Sequence, residues 1–439
     1  MSRVGLPVPI IRLSEWKSRC VEGLTLGPED RALAAQICGP KSRQLQIDEL
    51  RAGLRISARS WVGVVRFPSF ELQIVPKLAG RNVGLVKLID FTSGLDCLRR
   101  FAAVQEFESK GSSLFDLIAL LHAEACEAIA RGGLLADYRE VEEDLPVVRG
   151  RLMVARQYLR RFGQVNRVEC RYDEQVTDVP ENQLLLAALV QAARKVANPA
   201  VQLRIRRLVN VFASACSLDG VDLREIRTGL AYDRLNGHYR TAHDLSWLIL
   251  DGLGVRDLFG GGDRECFAFL LDMNRLFESF VCRWLSRLLT GTGLQLTSQY
   301  HANSILWDAD RGKPYAHIRP DILVHAIGQR GKALPIDAKY KLYDEKGLSL
   351  GDVYQTFLYA FAWGSRDRHA MPPRAMLIHP SSSPSGTSVR LHVRDHAGAI
   401  GGELVSIGIH IPTALEEAMS NQPGPVGRGI LRQVGPCFA

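Results

Sequence analysis

Two short apolar runs, each with an aspartate at one end, constrain this chain more than any other feature: Arg319-Pro320-Asp321-Ile322-Leu323-Val324 and Leu334-Pro335-Ile336-Asp337-Ala338-Lys339. Branched apolar residues in runs of this length form strands, and the Gly/Lys-rich stretch from Gly328 to Lys332 reads as a hairpin turn between them. Pairing the runs puts Asp321 and Asp337 side by side at one end of a sheet. Side chains repeat every second residue along a strand, so Lys339 shares a face with Asp337. Two carboxylates there repel unless a divalent cation, Mg²⁺ in the simplest case, bridges them. The Ala338 carbonyl can complete such a site. The Lys339 ammonium can orient an attacking water or neutralise charge growing on a phosphate. An edge-strand salt bridge of Asp321 or Asp337 with Lys339 or Arg319 fits the same string.

The surroundings of these runs predict a mixed α/β domain. A long helix is expected from Phe267 to Leu289, with Met273, Leu276, Phe277, Phe280, Val281, Trp284 and Leu288 on one stripe. Glu278 flanks that stripe and can point toward a metal; pattern alone favours a solvated glutamate paired with Arg275 or Arg283. Strands are expected at 294–300, 318–326, 333–340, 374–379, 389–393 and 405–411, and a helix from Leu350 to Trp363. Gln355 on that helix can reach the water or a DNA phosphate, or stand as a surface amide.

At 439 residues the chain is too long for one compact core. Strand-like segments at Leu54–Ile56, Trp61–Phe67 and Glu71–Pro76 predict a β-rich N-terminal domain, followed by helical patterns at 83–88 and 113–131, the second capped by Gly132-Gly133. Helices at 181–196, opened by Pro180, and at 201–217 predict a helical middle section. The expected domains are 1–143, 144–262 (ended by Gly260-Gly261-Gly262), 263–420, and a flexible Pro/Gly-rich tail at 421–439.

A net charge of +8 favours a polyanionic partner. Between Arg149 and Arg171 seven arginines face one acid, Glu169. Arg149, Arg151, Arg156, Arg160 and Arg161 form either a stripe that contacts DNA phosphates or a solvated helix face. Nine scattered cysteines without a C-x-x-C pair support neither a disulfide framework nor a zinc site. No apolar run is long enough for a membrane helix, and the N-terminus lacks a signal-peptide core, so a cytoplasmic protein with no membrane partner is expected. No G-x-x-x-x-G-K-[ST] loop is present, so the chain is expected to bind no nucleotide itself; H-E-x-x-H and G-x-S-x-G are also missing.

Taken in order, these residues resemble the McrC family, the nuclease subunit of GTP-dependent McrBC systems that restrict DNA carrying modified cytosine. The resemblance rests on Trp61-Val62-Gly63-Val64 and Pro76-Lys77, on Arg149-Gly150, Asp178-Val179-Pro180-Glu181-Asn182 and Arg234-Leu235-Asn236, and on a last series. That series is Leu276-Phe277-Glu278, Arg319-Pro320-Asp321, Asp337-Ala338-Lys339-Tyr340 and Asp352-Val353-Tyr354-Gln355. It implies a PD-(D/E)xK nuclease core, a mixed sheet flanked by helices, with Glu278, Asp321, Asp337 and Lys339 as its active site and Gln355 as accessory. It further implies Mg²⁺ or Mn²⁺ held by Asp321, Asp337 and Glu278. DNA translocation falls to a separate AAA+ GTPase, an McrB-like motor subunit engaged by the N-terminal domain. The resemblance implies a metal-dependent endodeoxyribonuclease. A non-catalytic adaptor binding DNA and motor, and a standalone repair-type nuclease of the same fold, are the competing readings. The middle section is longer than in shorter members of the family, which leaves its contacts to a motor open.

Overall fold

A computed structural model of the chain describes residues 9–39, 44–78, 81–93, 113–163, 166–252, 267–298, 302–328, 333–344, 347–363, 372–420 and 422–438. The Gly260-Gly261-Gly262 break and the turn residues 329–332 lie outside them. Contacts divide the chain into two units, one made of 1–111 with 255–439 and the other of 112–254. The expected boundary at 143/144 therefore falls inside a unit, and the first and last segments, expected as separate domains, share one.

Within the first unit, β1 (Ile10–Ser14), β6 (Glu71–Val75), β5 (Trp61–Arg66) and β10 (Phe267–Asp272) form a sheet in that order. β10 pairs antiparallel with β5, which is how the C-terminal part of the chain enters the N-terminal sheet. Here the structure corrects the helix expected from Phe267. Phe267 to Leu271 extend against Val62–Arg66, and the helix begins only after Asp272, whose Oδ1 accepts from the Asn274 amide at 2.9 Å as its N-cap. Gly63, at φ 144°, permits this pairing, because a Cβ there would meet the Phe269 carbonyl oxygen at 1.9 Å. A second small sheet, β2 (Ser18–Glu22), β4 (Gly53–Ala58) and β3 (Leu45–Leu50), and helix α1 (Pro28–Cys38) complete this region. Ile37, Leu45, Ile56, Phe70, Leu72 and Ala268 share its core.

The larger sheet runs β11 (Leu294–Ser298), β14 (Ile322–Ala326), β15 (Ala333–Ala338), β16 (Arg374–Pro380), β18 (Ile400–Ile409) and β17 (Thr387–Arg394). β15, β16 and β18 are parallel neighbours and the outer pairings are antiparallel, so the sheet is mixed as expected. Every residue of β16 is buried, as suits a central strand covered on both faces. A separate ribbon, β12 (Ala302–Asp308) with β13 (Lys313–Ile318), leads into the strand that follows Asp321. Helices α9 (Met273–Leu288) and α10 (Leu350–Trp363) flank the sheet, α2 (Arg81–Ser93) packs on α9, and α10 has the expected bounds.

Beyond α11 (Ile411–Ser420) the structure overturns the expected flexible tail. Pro425 opens α12 (Pro425–Val434) because its missing N–H costs nothing at the first helical position. Glu417 caps the turn through the amides of Val426 and Gly427, at 2.9 and 2.8 Å, and Ile430 is fully buried.

The second unit contains a sheet where helix is expected. β7 (Asp137–Leu145), β9 (Val168–Val176) and β8 (Arg151–Leu152) pair antiparallel, with the short α4 (Val154–Arg161) after β8. The rest is helical: α3 (Leu114–Gly132), α5 (Pro180–Lys195), α6 (Pro199–Ala213), α7 (Leu223–Gly229) and α8 (Arg240–Gly252). Asn182, wholly buried on α5, donates to the carbonyls of Leu135 and Thr177 at 2.8 Å each and accepts from the Tyr239 hydroxyl at 2.9 Å. Asn236 donates to Glu181 at 3.0 Å. Two of the sequence landmarks thus meet as an internal polar lock.

Candidate active site

The register of β14 and β15 sets Ile322 opposite Ile336, so the next rung brings Asp321 and Asp337 to the same end of the pair. Asp337 lies inside β15 and is 1 % exposed. Neither of its carboxylate oxygens receives a hydrogen bond from any described residue. The Lys339 ammonium pairs with Oδ2 at 3.0 Å. Two residues along the strand, the Lys339 amide donates to Ile378 at 2.9 Å and extends the ladder to β16. Lys339 is held above its usual range: burial alone would lower it, but attraction to Asp337 and Asp321 prevails.

Asp321 is half-buried and accepts one hydrogen bond, from the Ala338 amide at 2.8 Å. Burial, reinforced by repulsion from Asp337, holds its carboxyl well above the ordinary carboxylate range; the Ala338 amide only partly offsets this. A buried carboxylate answered by one ammonium, beside a carboxyl that resists ionisation, is a poor solution for stability alone, because taking charge out of water costs several kcal/mol. It is a good solution for a cation. The donor set, hard carboxylate oxygens, suits Mg²⁺ or Mn²⁺.

Of the expected site residues, the structure brings Asp321, Asp337 and Lys339 together directly. Gln355 projects from α10 and donates to the Tyr359 hydroxyl at 2.7 Å, which in turn donates to the Arg319 carbonyl at 3.1 Å. Gln355 is thereby held against the segment that presents Asp321. Glu278, on α9, stands near enough for its charge to raise both Asp321 and Cys282. It does not close a three-ligand set: among the described residues no three His, Cys, Asp or Glu side chains gather closely enough to hold a metal ion. The two strand carboxylates share one sheet end, whereas Glu278 approaches from a separate helix.

The expected phosphate stripe is built differently. Arg149 faces Glu174 at 3.5 Å, Arg160 faces Glu169 at 3.7 Å, Arg167 faces Asp144 at 3.7 Å, and Arg156 and Arg171 share Glu142. The acids come from β7 and β9, strands that pair across the sheet; of them only Glu169 belongs to the arginine stretch itself. The Arg161 side chain lies outside the described residues.

Sequence reasoning missed Tyr359, although its position four residues after Gln355 puts the two on one helix face. It named Asp352 within the family series but gave it no role; Asp352 accepts from the Tyr343 hydroxyl at 2.6 Å, from Lys341 at 3.0 Å and from Ser349, and so fastens α10 to the chain leaving β15. Burial alone would raise the Asp352 carboxyl, but these donors hold it below the usual range.

A refined half-complex of Thermococcus gammatolerans McrB AAA+ hexamers with bound McrC is similar over 94 % of this chain and 99 % of that one, with a TM-score of 0.63 and 18 % identity. A cryo-EM structure of the Thermococcus gammatolerans McrBC complex is similar over 64 % of this chain and 88 % of that one, with a TM-score of 0.48 and 22 % identity. No curated protein matches the sequence. The first of these likenesses establishes the fold. Residues 56–380, which take in the strand carboxylates, Lys339 and α10, match the McrBC 5-methylcytosine restriction system component, and the chain belongs to that family.

Proposed function

We propose that this chain is the DNA-cleaving subunit of a GTP-dependent restriction system directed at modified cytosine, hydrolysing phosphodiester bonds when a AAA+ GTPase partner engages it. The observation that carries the reading is Asp337, a buried carboxylate set beside Asp321 and paired with Lys339. The family supports a restriction-system role, and the Thermococcus gammatolerans assembly supports a division of labour between a motor and the bound subunit.

In this reading Asp321 and Asp337 hold the divalent cation, and Glu278 supports them through its charge. A Mg²⁺ or Mn²⁺ ion bound there supplies Lewis-acid polarisation of the phosphate and an acidified water. Lys339 reaches from a buried strand to partly open solvent, 25 % exposed, where its ammonium orients the attacking water or neutralises the developing charge. Gln355, held by Tyr359, lines the same end of the sheet and is suited to a water or a DNA phosphate. In this reading the protein meets its DNA in the cytoplasm. Among the described residues no helix is long and apolar enough to cross a membrane.

The test is plasmid cleavage by the full chain with its GTPase partner, GTP and Mg²⁺, on cytosine-methylated DNA. Asp337→Ala and Lys339→Ala are expected to abolish cutting while DNA retention persists. Cutting at wild-type rates by both variants rules the reading out, and DNA retention alone by the wild type supports an adaptor instead.

A further inference from the structure

Glu15 follows β1 and is completely buried, far from the strand carboxylates in sequence. Its Oε1 accepts from the backbone amides of Lys77 at 2.6 Å and Leu78 at 3.4 Å, and from the Tyr340 hydroxyl at 2.7 Å. Its Oε2 meets no donor among the described residues. Tyr340 is the residue after Lys339, and its ring packs on Phe277 of α9 with centroids 5.7 Å apart. Alternation along the strand turns Asp337 and Lys339 to one side and Tyr340 to the other. The hydroxyl of Tyr340 therefore anchors the strand end from behind.

The turn that delivers Glu15 is strained. Trp16 has φ 61°, the one non-glycine residue with positive φ among the described residues, and it is 50 % exposed. Such a conformation in a bulky residue costs energy and persists only where the surroundings enforce it. Here the Glu15 amide is bonded to Val75 at 3.1 Å and the Trp16 amide to Arg59 at 3.3 Å, which pins the turn to β6 and to the β4–β5 connection. A buried carboxylate with one unmet oxygen and a strained turn to deliver it are two costs that an apolar contact at the same place would avoid. What the carboxylate adds over an apolar contact is a directional hold on Tyr340.

We propose that Glu15 is a positioning residue for DNA cleavage: through Tyr340 it holds the strand end that presents Asp337 and Lys339, and so ties the geometry of the site to the N-terminal sheet. The proposal rests on the nuclease reading above. It takes a residue outside the matched span 56–380 and gives it a role in that span's chemistry.

The experiment uses the full chain assembled with its GTPase partner. Glu15→Gln keeps the shape and weakens the acceptor; Tyr340→Phe keeps the ring and removes the donor. Cleavage is measured across a Mg²⁺ titration, alongside GTP hydrolysis and thermal midpoint, with Asp337→Ala as control. Each single variant is expected to lose about tenfold in cleavage or in apparent Mg²⁺ affinity, as for groups that orient a metal ligand. GTP hydrolysis is expected to stay unchanged, and the double variant to be no worse than Tyr340→Phe. Wild-type cleavage by both singles at every Mg²⁺ concentration overturns the proposal, as do losses that multiply in the double variant or that merely track the thermal midpoint. An active Asp337→Ala control removes the nuclease reading itself. A dead control with active Glu15→Gln and Tyr340→Phe removes only the positioning role.

Discussion

The two units differ in the buried titratable groups that stand out in each. In the first, Glu15 and Asp321 are both held above the ordinary carboxylate range, chiefly by burial, and Asp337 is buried with the Lys339 ammonium 3.0 Å from it. The second unit buries imidazoles, and burial keeps them neutral. His243 accepts from the Tyr232 hydroxyl and donates to the Glu181 carbonyl, each at 3.0 Å. His122 lies 2.8 Å from Ser246, whose hydroxyl already donates to Ala242, so His122 Nε2 is the donor. Among the described residues both units leave buried polar atoms without a hydrogen bond, His122 Nδ1 and Glu124 Oε2 in the second and Glu15 Oε2 in the first, but only at Asp337 are both oxygens of one carboxylate left so. That contrast separates architecture from a site more cleanly than burial alone.

The largest expected effect follows from removing the Asp337 charge. Asp337→Asn keeps the volume and abolishes the charge, so cleavage should fall at least about a hundredfold. Stability without metal should move the other way, rising by about 1–3 kcal/mol, because a buried charge is replaced by a neutral amide while Lys339 can turn to water. Mg²⁺ should raise the thermal midpoint of the wild type and leave that of the variant in place. A variant that is both inactive and less stable than the wild type would mean that Asp337 serves the fold rather than a cation.

The same experiment in the second unit should give the reverse. Asn182→Ala strips partners from two buried carbonyls and the Tyr239 hydroxyl, and should cost about 3 kcal/mol in denaturant unfolding. A stability within error of wild type would show that the polar lock is dispensable.

The strand carboxylates, Lys339 and the bounds of α10 were legible because each depends on local rules: alternation along a strand, a short motif, an uninterrupted helical stripe. β10 was not. Phe267 to Leu271 are as compatible with a helix as with a strand, and the choice is made by pairing with β5, some two hundred residues earlier in the chain. The bond between Glu15 and Tyr340 spans 325 residues and leaves no local trace. The sheet beneath the basic stretch was hidden for a related reason: the arginines draw attention by their charge, whereas the partners that answer it lie on β7 and β9. The C-terminal glycines and prolines were read as breakers, although Pro425 stands at a helix start.

Acid should separate the units. Burial lowers His243 to about 4 and His122 to about 3, below the usual 6.5. Between 6.5 and 4 the unfolded chain binds protons that the folded second unit refuses, so its stability falls as pH drops through that window. Glu15 and Asp321 of the first unit have the opposite sign: a raised folded pKa favours the folded state below the ordinary carboxylate range, and that advantage is lost as pH rises through the raised value. At pH 5 the second unit should lose about 2 kcal/mol through His243 relative to pH 7. Hydrogen exchange should quicken there in α3 and α8, and His243→Gln should remove part of the pH dependence. Equal acceleration in the first unit's central strands would contradict the division.

The smallest effect is expected on the arginine face, where the contrast between met and unmet charge decides the outcome. Arg149, Arg156 and Arg160 already face Glu174, Glu142 and Glu169, so a DNA phosphate would have to displace a carboxylate to gain each contact. Exposed pairs of this kind are worth only about 0–1 kcal/mol, and the arginine field beyond them is cancelled by the acids. Replacing all three with alanine should therefore change DNA affinity by less than about threefold and leave the salt dependence of binding nearly flat between variant and wild type. A drop in the slope of log affinity against log salt by about one for each arginine removed would instead assign them to phosphates. In that case charge pairing within the free protein would be a resting state of the interface, and the second unit would hold a site of its own.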